Sequence, residues 1–402
     1  MDSDFSKMSR LIESYRPDII EKMTGMIELQ AISPMSGGTG ESERAEFLDK
    51  VLKSFGFDTK RYDYKDDTET IRPNIITKFG DSDATVWFVG HMDTVSEGDR
   101  TLWKTDPFTA MVDGDRIYGR GTEDNGSGIM SSVYALRAIK ESGSKLRYNF
   151  GLALVADEEL GSRFGMAKLI HEDIFKKGDM FVVPDWGTKD GSMIEISEKG
   201  MLWIKVTIAG IQVHASTPDK GKNAFRYAIS FLNALDHMLH SKYTSANKLF
   251  SPHTSTFEMT KHEKNVDSVN IIPGTDISYL DCRILPEYKV NDVLNDIIAL
   301  SKAPEFDGTS IKIEEFNRED PAPATDADSE IVKLIKSAIE EIRGIKPGMI
   351  GIGGGTVAAF TRKEGMHTVV WSTGEEVAHQ PNEYVNISDI INDAKVFVRI
   401  LL

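Results

Sequence analysis

Two runs decide the fold: Thr85-Val86-Trp87-Phe88-Val89-Gly90-His91-Met92-Asp93 and Asn149-Phe150-Gly151-Leu152-Ala153-Leu154-Val155-Ala156-Asp157-Glu158-Glu159. Each is a short, nearly continuous apolar stretch that ends abruptly in ionisable residues. Apolar side chains at both parities mark strands buried on both faces. Asn74-Ile75-Ile76-Thr77-Lys78-Phe79 and Met180-Phe181-Val182-Val183 read the same way, and Ile129 to Lys140 and Phe164 to Ile170 carry helical spacing between them. Strands alternating with helices predict an α/β sheet covered by helices.

Working outward, the texture changes near Gly200. Leu202, Ile204, Val206 and Ile208 alternate with polar residues, and a helix bearing Phe225, Ala228, Ile229, Leu232, Leu235 and Leu239 follows. Strands around Thr254–Lys261 and Ile277–Ile284, a helix over Val290–Lys302 and a strand at Ile311–Ile313 complete a βαββαβ order, the signature of a ferredoxin-like unit. Beyond the linker Asp320-Pro321-Ala322-Pro323-Ala324-Thr325, a helix stopped by Gly344 and a strand at Thr368–Trp371 resume the first texture. The expected organisation is therefore a discontinuous catalytic α/β domain, 1–199 and 318–402, interrupted by a second domain at 200–317.

Composition agrees with two cores. The 402 residues exceed what one core usually organises, and 40% hydrophobic with 27% charged residues is a globular balance. A net charge of −16 argues against a nucleic-acid or anionic-membrane partner. Cys282 is the single cysteine, so neither an internal disulfide nor a thiolate zinc site can form, and a reducing compartment is favoured. The charged N-terminus lacks an apolar export region, and no run nears the length of a membrane span, so the cytoplasm is the expected location.

In open α/β sheets functional groups gather beyond the carboxyl ends of strands. That rule selects His91 and Asp93, Glu158 and Glu159, Asp185, and His379 after the strand near Val369. The glycine-rich turn Gly119-Arg120-Gly121-Thr122-Glu123-Asp124-Asn125-Gly126 lies between the first two strands. Two histidines and at least four carboxylates at one edge repel unless cations sit among them. Imidazole and carboxylate without thiolate suit a dinuclear centre of zinc, cobalt or manganese. In His91-x-Asp93 the carboxylate can accept the second ring N–H and fix the ligating tautomer. His171, His237, His240, His253, His262 and His367 read as ordinary surface or hydrogen-bonded histidines. The dinucleotide fingerprint fails because Asp124 occupies its third glycine, Gly353-Gly354-Gly355-Thr356 lacks the lysine of a P-loop, and no Gly-x-Ser-x-Gly elbow occurs.

Five ordered stretches resemble the M20 metallopeptidases, which include acetylornithine deacetylase, succinyl-diaminopimelate desuccinylase, aminoacylase and some carboxypeptidases. They are Gly90–Val95, Gly119–Asp124, Asp157–Ser162, Val213-His214-Ala215-Ser216-x-Pro218 with Asn223-Ala224, and Ala378-His379-Gln380-Pro381-Asn382-Glu383-Tyr384. The resemblance implies a zinc-peptidase-like catalytic domain with an inserted lid and dimerisation domain. It implies that Asp124 bridges two divalent metals, zinc first with cobalt or manganese also suited. One metal would also take His91 and Asp185, the other Glu159 and His379. Glu158 would be general base, Asp93 would support His91, and His214 would stabilise the oxyanion, often across a homodimer. Asn270, Arg283, Gly355 and Thr356 resemble groups that grip a substrate carboxylate, although Asp281 on the same strand face could simply pair with Arg283. The implied reaction is hydrolysis of an N-acyl amino acid. The alternative is a dipeptidase or carboxypeptidase acting on a short peptide. It stays open because Asp185 stands where deacylases typically carry Glu, and because Asn125-Gly126-Ser127-Gly128 replaces the Met-Lys-Gly-Gly of many deacylases. A third possibility, a ligand-binding member without catalysis, is opposed by the presence of all five ligands and Glu158.

Overall fold

The computed structural model describes residues 3–402, which fall into two compact units. The first comprises 3–196, 325–350 and 356–402, and the second 197–324 and 351–355. The short segment 351–355, which the sequence reading leaves with the flanking parts, thus groups with the inserted unit. Its backbone explains this, since Lys199 N–H donates to the Ile352 carbonyl and Gly351 N–H to that of Leu249.

An eight-stranded sheet organises the first unit, in the order Lys60–Lys65, Ile71–Phe79, Asn149–Val155, Thr85–His91, Met180–Thr188, Thr368–Thr373, Met193–Glu198, Gly348–Ile352. The four central strands, Asn149–Val155 to Thr368–Thr373, run parallel. Their side chains serve two cores. Trp87, Val89, Ala153, Val155, Phe181 and Val183 face Met166, Leu169, Val357 and Ala358. On the other parity Phe88 stacks on Phe150 at 4.4 Å between ring centroids and meets Phe397 at 4.8 Å. Phe397 belongs to helix Ile387–Ile400, which packs with helices Gly128–Ser142 and Ser3–Ser14. Burial on both faces is why these strands carry no polar alternation.

The second unit is an antiparallel sheet ordered Thr256–His262, Thr275–Ile284, Gly200–Ala209, Ser310–Glu319. Leu202, Ile204, Val206 and Ile208 turn to one face, where helices Ala224–Lys242 and Val290–Leu300 bury Phe231, Leu235, Val293 and Ile297 against them. Asn223 starts the longer helix, its side chain accepting from the Arg226 N–H. Cys282 is fully buried in this core, and burial pushes its thiol up to about 12. Among the described residues no helix is long and apolar enough to cross a membrane.

Candidate metal centre

The parallel strands deliver their C-terminal residues to one sheet edge, as the crossover topology requires. His91 is the last residue of its strand and is buried. Its Nδ1 lies 3.0 Å from the backbone carbonyl of Asp93, whereas the Asp93 carboxylate is 3.5 Å away. The second ring nitrogen is thus anchored by backbone more than by the side chain that the His-x-Asp spacing suggested. The Asp93 carboxylate turns instead to the acidic turn, where its oxygens accept the N–H groups of Glu158 and Glu159 at 3.0 and 3.1 Å. Burial opposes ionisation of Asp93, but His91 and these two amides outweigh it and hold its pKa below the usual range.

Asp124 follows the turn at Gly121, where φ is 83°. Its two oxygens face two different histidines. Oδ1 is 2.7 Å from His91 Nε2, and Oδ2 is 2.8 Å from His379 Nε2. Asp185 Oδ1 lies 3.2 Å from His91 Nε2, and Glu159 Oε2 3.1 Å from His379 Nε2. Two donor groups result, joined through one carboxylate. Asp185 does not extend beyond its strand, as the apolar run ending at Val183 suggests, but sits within Met180–Thr188 where pairing with Thr368–Thr373 slips register. That irregularity turns Asp185 toward the site. Asn125 holds it there: its buried amide donates to Asp185 Oδ1 at 2.8 Å and to the Pro184 carbonyl at 2.6 Å, and its Oδ1 accepts the His91 N–H at 3.2 Å.

Glu158 and Glu159 occupy a single turn after Val155, entered through Asp157 in the left-handed region at φ 65°. One donor atom each from His91, Glu158 and Asp185 lie within 4.8 Å of one another, as do those of His91, Asp124 and Glu159. Burial, then the charge of Asp185, pushes Glu158 well above the carboxylate range. Burial and then Asp124 raise Glu159. Hydrogen bonds to Asp124 and then Glu159 raise His379 to about 10. Burial disfavours charge on His91, yet Asp185 and Asp124 outweigh it and hold its pKa well above the ordinary value. The cluster therefore demands positive charge, and among the described residues no lysine or arginine pairs with these carboxylates. Divalent metal ions would satisfy that demand, and the nitrogen and oxygen donors suit zinc, cobalt or manganese. A cleft of about 180 Å³ adjoins the acidic groups, lined by Asp124, Asp185, Trp186, Gly374 and Glu376 among others.

The remaining candidates stand elsewhere. His214 is exposed in the second unit, on a two-residue strand paired with Ile271–Ile272. Its Nδ1 accepts the Ser216 N–H at 3.2 Å, which puts the ring proton on Nε2 as an available donor. Asn270 is exposed, and its carbonyl accepts from Ala215. Arg283 commits its fork to Asp281, at 2.7 and 3.0 Å, and donates Nη1 to the Gly353 carbonyl. The strand-face pairing with Asp281 is therefore what this structure shows. A Cβ at Gly355 would lie 2.3 Å from Glu319 Oε2, the far end of a flexible side chain that would have to shift to make room. Thr356 belongs to the first unit, where its hydroxyl accepts from the Ala358 N–H.

Sequence reasoning missed the buried cations behind the site. Arg72 Nε meets both Glu41 oxygens at 3.0 Å, and Nη1 reaches Asp157 at 3.1 Å. Arg44 donates to the Met92 and Leu29 carbonyls, tying down the segment after His91. An arginine inside a run as apolar as Asn74–Phe79 would have been a signal, but Arg72 falls just before it.

A sheet edge that gathers imidazoles and carboxylates around two shared donor groups defines a metal-dependent hydrolase class. Comparison with known proteins identifies the family within it. The model of "Peptidase family M20/M25/M40" matches residues 87–402. An uncharacterized metallohydrolase of Methanocaldococcus jannaschii is 41% identical, covering 96% of this chain and 100% of that protein. A succinyl-diaminopimelate desuccinylase of Pelagibacter ubique is 27% identical, over 94% of this chain and 96% of its own length. Among solved structures, an M20 family metallo-carboxypeptidase from Sulfolobus solfataricus superposes with a TM-score of 0.77 at 19% identity, covering 95% and 98% of the two chains. The chain belongs to peptidase family M20/M25/M40 and is a metallohydrolase of that family.

Proposed function

We propose that this protein is a dinuclear zinc amidohydrolase that cleaves the amide bond of N-acyl amino acids, of the deacetylase or desuccinylase type. The observation that carries the dinuclear reading is Asp124, whose two oxygens reach separate histidines at 2.7 and 2.8 Å. His91 and Asp185 would hold one ion with Asp124, and His379 and Glu159 the other. When bound, such ions polarise a carbonyl oxygen, acidify water and draw down the pKa of the carboxylates around them. The chain's own groups do the rest. Glu158 takes a proton from the attacking water and returns it to the leaving amine, the two transfers a general base must make in amide hydrolysis. Asp93 fixes the turn that carries Glu158 through its two backbone hydrogen bonds. His214, with its proton on Nε2, is the donor we assign to the developing oxyanion. Asn270, Gly355 and Thr356 are assigned to the substrate carboxylate with Arg283, whose Nη1 donates to the Gly353 carbonyl.

The second unit is assigned to dimerisation in the cytosol. Phe225 and Ile229, one turn apart on helix Ala224–Lys242, are 43% and 57% exposed, an apolar face suited to a second copy.

Asp185 favours a second reading, a dipeptidase or carboxypeptidase using the same centre. A paired panel separates the two: N-acetyl and N-succinyl amino acids against dipeptides with free amines, assayed with zinc- and cobalt-loaded enzyme. Metal-dependent release of acetate or succinate is expected. Turnover of the dipeptides alone would transfer the assignment to the peptidase reading.

A further inference from the structure

The loop that carries His379 holds an unusual backbone. Glu376, His379 and Asn382 all adopt left-handed φ values, of 61°, 62° and 63°. Residues with a Cβ persist there only where their surroundings over-determine them. Asn382 is fixed by the 102–104 segment, accepting from the Lys104 N–H at 2.7 Å and donating to the Leu102 carbonyl at 3.0 Å. Glu376 is fixed from the other side of the site. The Glu123 carboxylate accepts the Glu376 N–H at 2.9 Å and the Val377 N–H at 2.7 Å. It crosses 253 residues of sequence to do so.

The reverse reach is as specific. Glu383, fully buried and four residues beyond His379, accepts the N–H groups of Gly121 at 3.1 Å, Glu123 at 2.9 Å and Asp124 at 3.1 Å. Arg120 Nη1 neutralises it at 2.6 Å, and its own carbonyl accepts the Gly119 N–H at 3.0 Å. Each loop therefore sends one carboxylate to grip the amides of the other. Each carboxylate is occupied by backbone donors and stands one residue or four from a metal-ligating candidate.

We propose that Glu123 and Glu383 form a reciprocal clamp that sets the spacing of Asp124 and His379, with Glu123 the positioning residue for the ion held by His379 and Glu159. This rests on the dinuclear reading above. The two ions need Asp124 Oδ2 and His379 Nε2 in fixed register, and those atoms come from loops joined here by two carboxylate crossings. His91 and Asp185 are held independently of Glu123, through Asn125. Loss of Glu123 should therefore weaken one ion and spare the other. That asymmetry separates positioning from general support of the fold.

The test uses the full chain as wild type, Glu123→Ala and Glu123→Gln, stripped of metal and titrated with Co2+ by calorimetry and visible absorption. The wild type should take two equivalents. In Glu123→Ala one equivalent should keep its affinity and the other weaken by about 10–100-fold, the range for loss of a group that orients ligands. Glu123→Gln, retaining one acceptor oxygen, should fall between them. Two equivalents at wild-type affinity in both variants would overturn the proposal. So would equal weakening of both together with a lower metal-free Tm, which is the mark of a merely structural role. Amide hydrogen exchange on the metal-free proteins reads the clamp directly, with Glu376 and Val377 exchanging at least ~10-fold faster in Glu123→Ala. Unchanged exchange at those amides overturns the clamp. A wild type that binds fewer than two equivalents instead refutes the dinuclear reading, and the exchange result then decides the clamp alone.

Discussion

Glu158→Gln should lower turnover by about 10²–10⁴-fold while leaving metal content unchanged. That range corresponds to about 3–5 kcal/mol of transition-state stabilisation. The geometry calls for this split. Glu158 shares the turn of Glu159 but is not among the three carboxylates, Asp124, Asp185 and Glu159, within 3.3 Å of the two histidine Nε2 atoms. A Glu158 oxygen lies within 4.8 Å of donor atoms of His91 and Asp185, so the metal content of the variant separates a base from a ligand. Glutamine keeps the shape and the backbone hydrogen bond to Asp93 but has no basic oxygen to take a proton from water. Steady-state rates at saturating substrate, with metal analysis on the same sample, check the prediction. A rate loss accompanied by loss of metal would move Glu158 into the ligand set. A rate within a few-fold of wild type would remove its role as base.

Arg72→Met should destabilise the metal-free protein by about 3–5 kcal/mol, the cost of leaving buried charges without a partner. In a chain of this size that corresponds to a fall in Tm of roughly 4–6 °C. Arg72 and Glu41 are 1% and 0% exposed at their side chains, and the same guanidinium serves Asp157. Burial opposes its charge, but Glu41, and then Asp157 and Asp93, hold the guanidinium above its ordinary range. Methionine fills much of the volume, so the loss is electrostatic more than a packing defect. Urea unfolding of both proteins without metal measures it. A difference under ~1 kcal/mol would mean that water or rearrangement compensates Glu41 and Asp157.

The sheet was legible because buried parallel strands have no polar alternation, and Trp87–Val89 and Leu152–Val155 state that plainly. The second unit was legible from the period-two pattern of Leu202 to Ile208. Donor types could be read too, since ionisable residues after apolar runs fall where crossover topology leaves strand ends. Partners across long sequence separations could not. Nothing local joins Glu123 to Val377, Glu383 to Gly121, or Arg72 to Glu41 and Asp157. Those pairings appear only when distant loops meet. The spacing in His91-x-Asp93 pointed to a side-chain contact; the carboxylate lies 3.5 Å from the ring, and the backbone turn also brings the Asp93 carbonyl to 3.0 Å and the carboxylate to the amides of Glu158 and Glu159. Asn125 looked like a departure from a familiar string, and its bond to Asp185 depends on a register slip that sequence periodicity does not encode. Arg283 shows the opposite lesson, for the contact with Asp281 two residues away is the one the strand period favours.

Anomalous diffraction at the zinc edge, on crystals of the zinc-loaded protein, locates each bound ion against its ligands. Two peaks about 3.5–4 Å apart are expected. One should lie among His91, Asp124 and Asp185, and the other among Asp124, Glu159 and His379. A single peak, or zinc bound away from Asp124, would contradict the dinuclear reading.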